Sequence, residues 1–373
     1  MATNVEGAPF SDAAASDPTR RITHMQGIDS IRYVCAIWVV LNHLYESAHS
    51  SAFDHGLGKL VGAILGAAFS GPAAVIVFFV ISGLCIHFPY RHGEKLDYFS
   101  YYMRRYLRVG IPMVIVIVLV QLLAGQRPHL VTIAFINNNS VMWSLIAELI
   151  YYTAYPALML AQRKVGWGYL IGASFLSAYV VVFSHPHIAA QGGYPLFGWK
   201  LNWIVGLPCW LLGCRLAAYL PHAKIGVGGV AADRTNIWVW RMGIWFLSCI
   251  SKFLQFHQHQ KPIHFGYSIT LDLFAVAVYF WLIKEISYAQ VNPPIRWLEN
   301  AGAASYSLYL VHPIVLSFAF DHHMFYNMLT TVAVLLAIIL VSTLFYYVVE
   351  RPSHLLARKF RPTRKREIIS ANL

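Results

Sequence analysis

Two ionisable side chains stand in the first long apolar stretch of the sequence, IDSIRYVCAIWVVLNHL: Arg32 and His43. They are eleven residues apart, which at about 100° per residue is three turns plus about 20°. On a helix they therefore share a face, about 16 Å apart along the axis. Ionisable groups inside a membrane span are costly and mark function. An arginine near a span's end would serve as an anchor on its own. A histidine deeper on the same face makes the pair two stations of one polar cavity, and a histidine titrating near neutrality suits proton transfer.

Further groups extend this set. In YYMRRYLRVGIP, Arg105 and Arg108 are three apart and adjacent on a helical face, a fork of guanidiniums suited to phosphate groups. In WSLIAELIYYTAYP, Glu148 and Tyr152 share a face at i, i+4, and a carboxylate at that depth needs a partner: His43, Arg32 or a basic group of a neighbouring span. Ser82-Gly83 in FFVISGLCIHF permits close helix approach or a local break. SYSLYLVHP contributes Ser305, Tyr306, Tyr309 and His312, and Glu350-Arg351-Pro352 looks like a helix-end device.

These residues must be positioned by membrane-spanning helices. Of the 373 residues, 58% are hydrophobic and 12% charged, about half the charge of a soluble domain, and the mean hydropathy is +0.54. Disordered chains, coiled coils and disulfide-stapled modules are excluded. The expected fold is an all-α integral membrane protein of about ten transmembrane helices, near 28–47, 71–89, 106–124, 143–162, 166–184, 199–219, 236–255, 267–287, 297–319 and 326–349. The seventh is interrupted by Arg241 and Lys252. Residues 1–27 form an N-terminal tail without an apolar signal core, 28–350 the transmembrane domain and 351–373 a basic C-terminal tail.

The formal net charge is +12, from 28 Lys+Arg and 16 Asp+Glu. The basic residues gather after alternate spans and in the C-terminal tail, so they read as topology signals and lipid contacts, not a nucleic-acid surface. Both termini are expected to be cytoplasmic. Cys35, Cys85, Cys209, Cys214 and Cys249 lie in apolar stretches without a CxxC, as unpaired thiols. The opposite loops collect histidines, including His257, His259, His322 and His323, with no cysteine nearby and no adjacent carboxylate except Asp321, so they read as loop residues and not metal ligands. No metal is expected.

Taken in order, Arg32 and His43 (Arg-x10-His), Phe78-Phe79 with Ser82-Gly83, Arg105 and Arg108 (Arg-x-x-Arg), Trp143-Ser144-Leu145 with Glu148, Ser305 to His312, and Glu350-Arg351-Pro352 resemble the acyltransferase-3 family of membrane acyltransferases. The resemblance runs from about Gly27 to Pro352. It implies a ten-helix fold that moves an acyl group, usually acetyl, from cytoplasmic acyl-CoA to a hydroxyl of an extracytoplasmic glycan. It ties His43 and Arg32 to catalysis and associates Arg105 and Arg108 with the CoA side. Ile76 departs from the pattern, standing where members often carry an acidic residue. A second expected departure, from some relatives only, is the absence of a fused extracytoplasmic hydrolase-like domain.

The expected chemistry is ester formation at the cell membrane, a bacterial inner membrane, with acetyl-CoA as donor substrate. His43 is the general base or a transient acyl carrier, Glu148 orients or balances it, and Arg32 holds pantetheine or polarises the thioester. Arg105 and Arg108 clamp the CoA phosphates; Ser82, Tyr152, Tyr309 and His312 stand behind them. The rivals are a secondary transporter relaying protons through His43 and Glu148, and a non-catalytic scaffold of surface-polysaccharide assembly. The acceptor's identity, acetyl against succinyl, and a partner protein or homodimer are left open by the sequence.

Overall fold

The computed structural model describes residues 25–48, 56–123, 125, 141–220, 234–260 and 266–360, and regular structure among them is helical throughout. The main helices are α1 (Ile28–Ala48), α2 (Gly56–Ala68), α3 (Gly71–His87), α4 (Tyr98–Arg105), α5 (Ile111–Leu123), α6 (Met142–Ser184), α7 (Gly198–Tyr219), α8 (Arg234–Gln260), α9 (Tyr267–Val291), α10 (Arg296–Gly302), α11 (Ser305–Asp321), α12 (Met328–Phe345) and α13 (Arg351–Arg358). Five-residue π-helical turns, Tyr106–Gly110 and Tyr346–Glu350, join α4 to α5 and α12 to α13.

Helices cover all ten expected ranges, but fewer qualify as spans by length and composition. Six do so among the described residues, or seven if α10 and α11, bent by 66°, count as one broken span. The protein is thus a multi-pass membrane protein, with six or seven helices of spanning length and composition among the described residues. α1 and α9 have 21 and 25 residues, but each carries several polar groups, among them Arg32, His43, Asp272 and Glu285. These polar groups lower the hydropathy of α1 and α9. α6 divides at Gly166, whose φ of 82° and ψ of 166° are open to glycine alone. This is the boundary expected between 162 and 166. α2 was not expected: with 13 residues it is too short to span.

Within a membrane, close backbone approach replaces the hydrophobic effect as the packing device. α3 and α7 cross through two glycines. A Cβ on Gly83 would lie 1.9 Å from the Trp210 carbonyl oxygen, and one on Gly213 would lie 1.9 Å from that of Val80. Trp210, Tyr101, Tyr151 and Tyr155 are fully buried beside this crossing.

Two helix starts are held by carboxylates from elsewhere in the chain. Glu299 of α10 accepts the Gly27 and Ser30 N–H groups at 3.0 Å and the Ser30 hydroxyl at 2.5 Å. Glu350 accepts the Ser307 N–H at 3.0 Å and its hydroxyl at 2.5 Å. Each meets N–H groups that have no partner within their own helix and sits at the positive end of its dipole. The first fixes the turn before Arg32, the second the start of the helix that carries Tyr309 and His312. Glu350 thus caps the start of α11, but the helix end expected at Glu350-Arg351-Pro352 is absent. After the π-helical turn the chain stays helical through Pro352 to Arg358, because a proline in the first turn of α13 removes no required N–H.

Candidate active site

α1 carries Arg32 and His43 on one uninterrupted helix, but they open into separate cavities. Arg32 lines one of about 260 Å³, together with Ser82, Arg105, Arg108, Glu148 and Glu350. His43 lines another of about 540 Å³, with Asn42, Glu46, Trp143, Gln191 and Gln255. Among the described residues, only Val75 and Tyr309 border both. The single polar cavity expected from the shared face is two chambers with a thin wall.

The first chamber concentrates cations around a few carboxylates. Arg32 Nη1 donates to Asp29 at 3.3 Å. Arg108 Nε donates to His354 Nε2 at 3.1 Å, and the same ring nitrogen is 3.3 Å from Glu350. Arg105 has a buried Nε with no hydrogen-bond partner, and its guanidinium lies 6.0 Å from the Tyr101 ring centre. A cavity-lining guanidinium with an unmet donor suits an anion, since an unmatched buried donor is costly. The π-helical turns supply Arg108 from one side and Glu350 from the other. Such turns often occur at functional sites.

Glu148 is not at His43. Its Oε1 accepts the Ser82 hydroxyl at 2.5 Å and also the Tyr152 hydroxyl. The Trp210 indole N–H donates to Ser82 at 3.2 Å. The i, i+4 pairing of Glu148 with Tyr152 is present, whereas the expected orientation of His43 by this carboxylate is not: its oxygen is taken up by hydroxyls of the first chamber.

His43 instead meets His312. Nδ1 of His43 is 2.9 Å from Nε2 of His312, and the rings stack with centres 5.2 Å apart. His312 is fully buried, and its Nδ1 is 3.1 Å from the Leu308 carbonyl oxygen. A carbonyl only accepts, so His312 carries its proton on Nδ1. With both rings neutral, its Nε2 accepts from His43 Nδ1–H, and the lone pair of His43 Nε2 is left over. At the wall, Tyr309 and Ser144 hydroxyls are 2.7 Å apart, and both lie within reach of the Val141 carbonyl, at 3.2 and 3.0 Å.

A family model described as an acyltransferase domain matches residues 25–347. The chain belongs to the acyltransferase-3 family. It is a membrane acyltransferase. No curated protein and no solved structure matches the chain. The family match ends at residue 347, while the first chamber of this acyltransferase extends to His354 in α13.

Asp29, Glu350 and His354 of the first chamber, and Asn42, Glu46, Gln191 and Gln255 of the second, carried no site expectation. For Glu350 a signal existed, an acid at the end of a strongly apolar run. Gln191 and Gln255 have none, because only the fold brings their segments to His43. Of the loop histidines, His49, His55, His129 and His264 lie outside the described residues. Among the described residues no cluster of three or more His, Cys, Asp or Glu is arranged to hold a metal ion.

Proposed function

We propose that the protein transfers an acyl group, acetyl in the simplest case, from cytoplasmic acyl-CoA to a hydroxyl of an extracytoplasmic or lipid-linked glycan, as a ten-span protein of a bacterial inner membrane with both termini cytoplasmic. The observation that carries this reading is the thin wall at Val75 and Tyr309 between a guanidinium-rich chamber and a chamber holding His43. A phosphorylated donor suits the first, and a hydroxyl acceptor suits the second.

In this mechanism Arg105 and Arg108 hold phosphates of the donor, and Arg32, 16 Å or so below His43 along α1, steadies the pantetheine arm. His43 Nε2 removes the proton of the acceptor hydroxyl. The oxygen attacks the thioester carbonyl carbon, and the tetrahedral oxyanion collapses with cleavage of the carbon–sulfur bond. The CoA thiolate then takes up the proton that His43 holds. The Tyr309 and Ser144 hydroxyls at the wall, on turning from the Val141 carbonyl, are neutral donors for the developing oxyanion. Glu148 keeps Ser82 and Tyr152 in place along the donor path.

Sealed, oriented vesicles test this. Acyl-CoA supplied on the cytoplasmic face should acylate a glycan enclosed on the other face, with release of CoA on the first. Product formed only when donor and acceptor share the cytoplasmic side would defeat the transmembrane mechanism.

A further inference from the structure

A third cavity, of about 610 Å³, runs between α1 and α3 on one side and α8 and α9 on the other. Its walls are chiefly apolar and aromatic, including Ile31, Val34, Trp38, Ile244 and Trp245. Val34 is 40% exposed in mid-helix. At this depth an apolar cavity is filled by hydrocarbon, because water gains no hydrogen bonds there.

The two ends differ. At the Arg32 end of α1, Arg241 is already neutralised by a two-pronged bond to Glu285, at 3.1 and 2.5 Å. At the His43 end, Lys252 donates to Asn42 at 2.8 Å and lies 3.6 Å from Glu46, which is half exposed. The helical repeat joins this end to the His43 chamber. Trp245, Ser248, Lys252 and Gln255 recur at intervals of three and four, so they form one stripe along α8. The lower members line the groove and Gln255 lines the His43 chamber. On α1, Trp38 lines the groove, Asn42 follows four residues later, and Asn42 lines the chamber beside His43. Lys252, in contact with Asn42 and Glu46, thus stands between the groove and the His43 chamber, the two halves of a candidate cleft.

We infer that this cleft binds a single-chain lipid phosphate whose polar head is the acyl acceptor. Its hydrocarbon lies in the groove, its phosphate displaces Asn42 and Glu46 at Lys252, and its sugar head enters the His43 chamber. The less firmly paired cation is at the end next to His43, which sets the lipid's direction. The inference rests on the proposed reaction only in calling this lipid an acceptor; its binding is tested without acyl transfer.

The probe is hexadecyl phosphate with a diazirine in its chain, photolysed with the full-length protein in lipid nanodiscs and mapped by peptide mass spectrometry. Adducts should concentrate on Ile31–Trp38 and Ile244–Ser248. Val34→Trp and, independently, Ile244→Trp should suppress them several-fold in protein with a normal size-exclusion profile. Unlabelled hexadecyl phosphate should compete about tenfold better than hexadecanol, as one charge-assisted contact implies, and Lys252→Gln should abolish that preference. Adducts spread over the lipid-facing sides of α5 and α12, or both filled variants labelling like the parent, would overturn the site. Loss of acyl transfer with labelling intact would count against the reaction and not against the lipid site.

Discussion

His43 Nδ1 lies 2.9 Å from His312 Nε2, and His312 Nδ1 in turn lies 3.1 Å from the Leu308 carbonyl. A main-chain acceptor therefore sets the tautomer of the His43 ring through a second imidazole. Where a triad places a carboxylate behind its histidine, this protein places a buried neutral side chain.

His43→Ala should lower acyl transfer by roughly 10³-fold, within the range general base catalysis contributes, with an unchanged size-exclusion profile. His312→Leu removes the acceptor for His43 Nδ1–H and should lower kcat by roughly 10²-fold. His312→Gln, whose amide oxygen accepts at a similar reach, should recover part of it. Equal losses in both His312 variants would reduce His312 to a packing role.

Arg105→Ala should weaken CoA binding by roughly tenfold or more, from about 1.5–3 kcal/mol per charged hydrogen bond. Arg105→Lys should restore less than half of that, because an ammonium lacks the planar fork. Titration of CoA against purified protein reads both, and the affinity lost should be the salt-sensitive part. Unaltered binding would move the phosphate clamp elsewhere.

Glu148→Gln keeps the shape of the side chain and an oxygen for the Ser82 and Tyr152 hydroxyls. Since Glu148 serves the first chamber, the variant should raise KM for the acyl donor while leaving the pH profile of kcat in place. A shifted kcat profile would place its charge at His43 after all.

Gly83→Ala and Gly213→Ala each put a methyl group 1.9 Å from a main-chain oxygen of the facing helix. Backbone cannot step aside as a flexible side chain does, so α3 and α7 must separate, at a cost of at least about 1–3 kcal/mol. Thermal unfolding monitored by size exclusion should show both variants losing stability, whereas Gly168→Ala, with open space around it, should behave as the parent.

The sequence by itself determined neither α2 nor the 66° bend between α10 and α11, but it did determine most of the helices and their approximate limits, the boundary near Gly166 and the residue types of the site. Those follow from local patterns: apolar runs, a glycine between spans, and an arginine and a histidine eleven apart on one helix. It also carried the family, whose motifs keep their order along the chain. Which polar group meets which was decided by the tertiary structure. From the sequence Glu148 of α6 is the residue expected to orient His43, with His312 of α11 only in support, yet His312 is the one that meets it. The choice was made by the Gly83–Gly213 crossing, which brings Ser82 and Trp210 together at Glu148, and by Glu350 fixing the start of α11. Likewise, helical spacing put Arg32 and His43 on one face, but the Val75–Tyr309 wall that parts their cavities comes from α3 and α11. Spacing along one helix fixes directions about its own axis; the partner found in each direction depends on how the other helices pack against it.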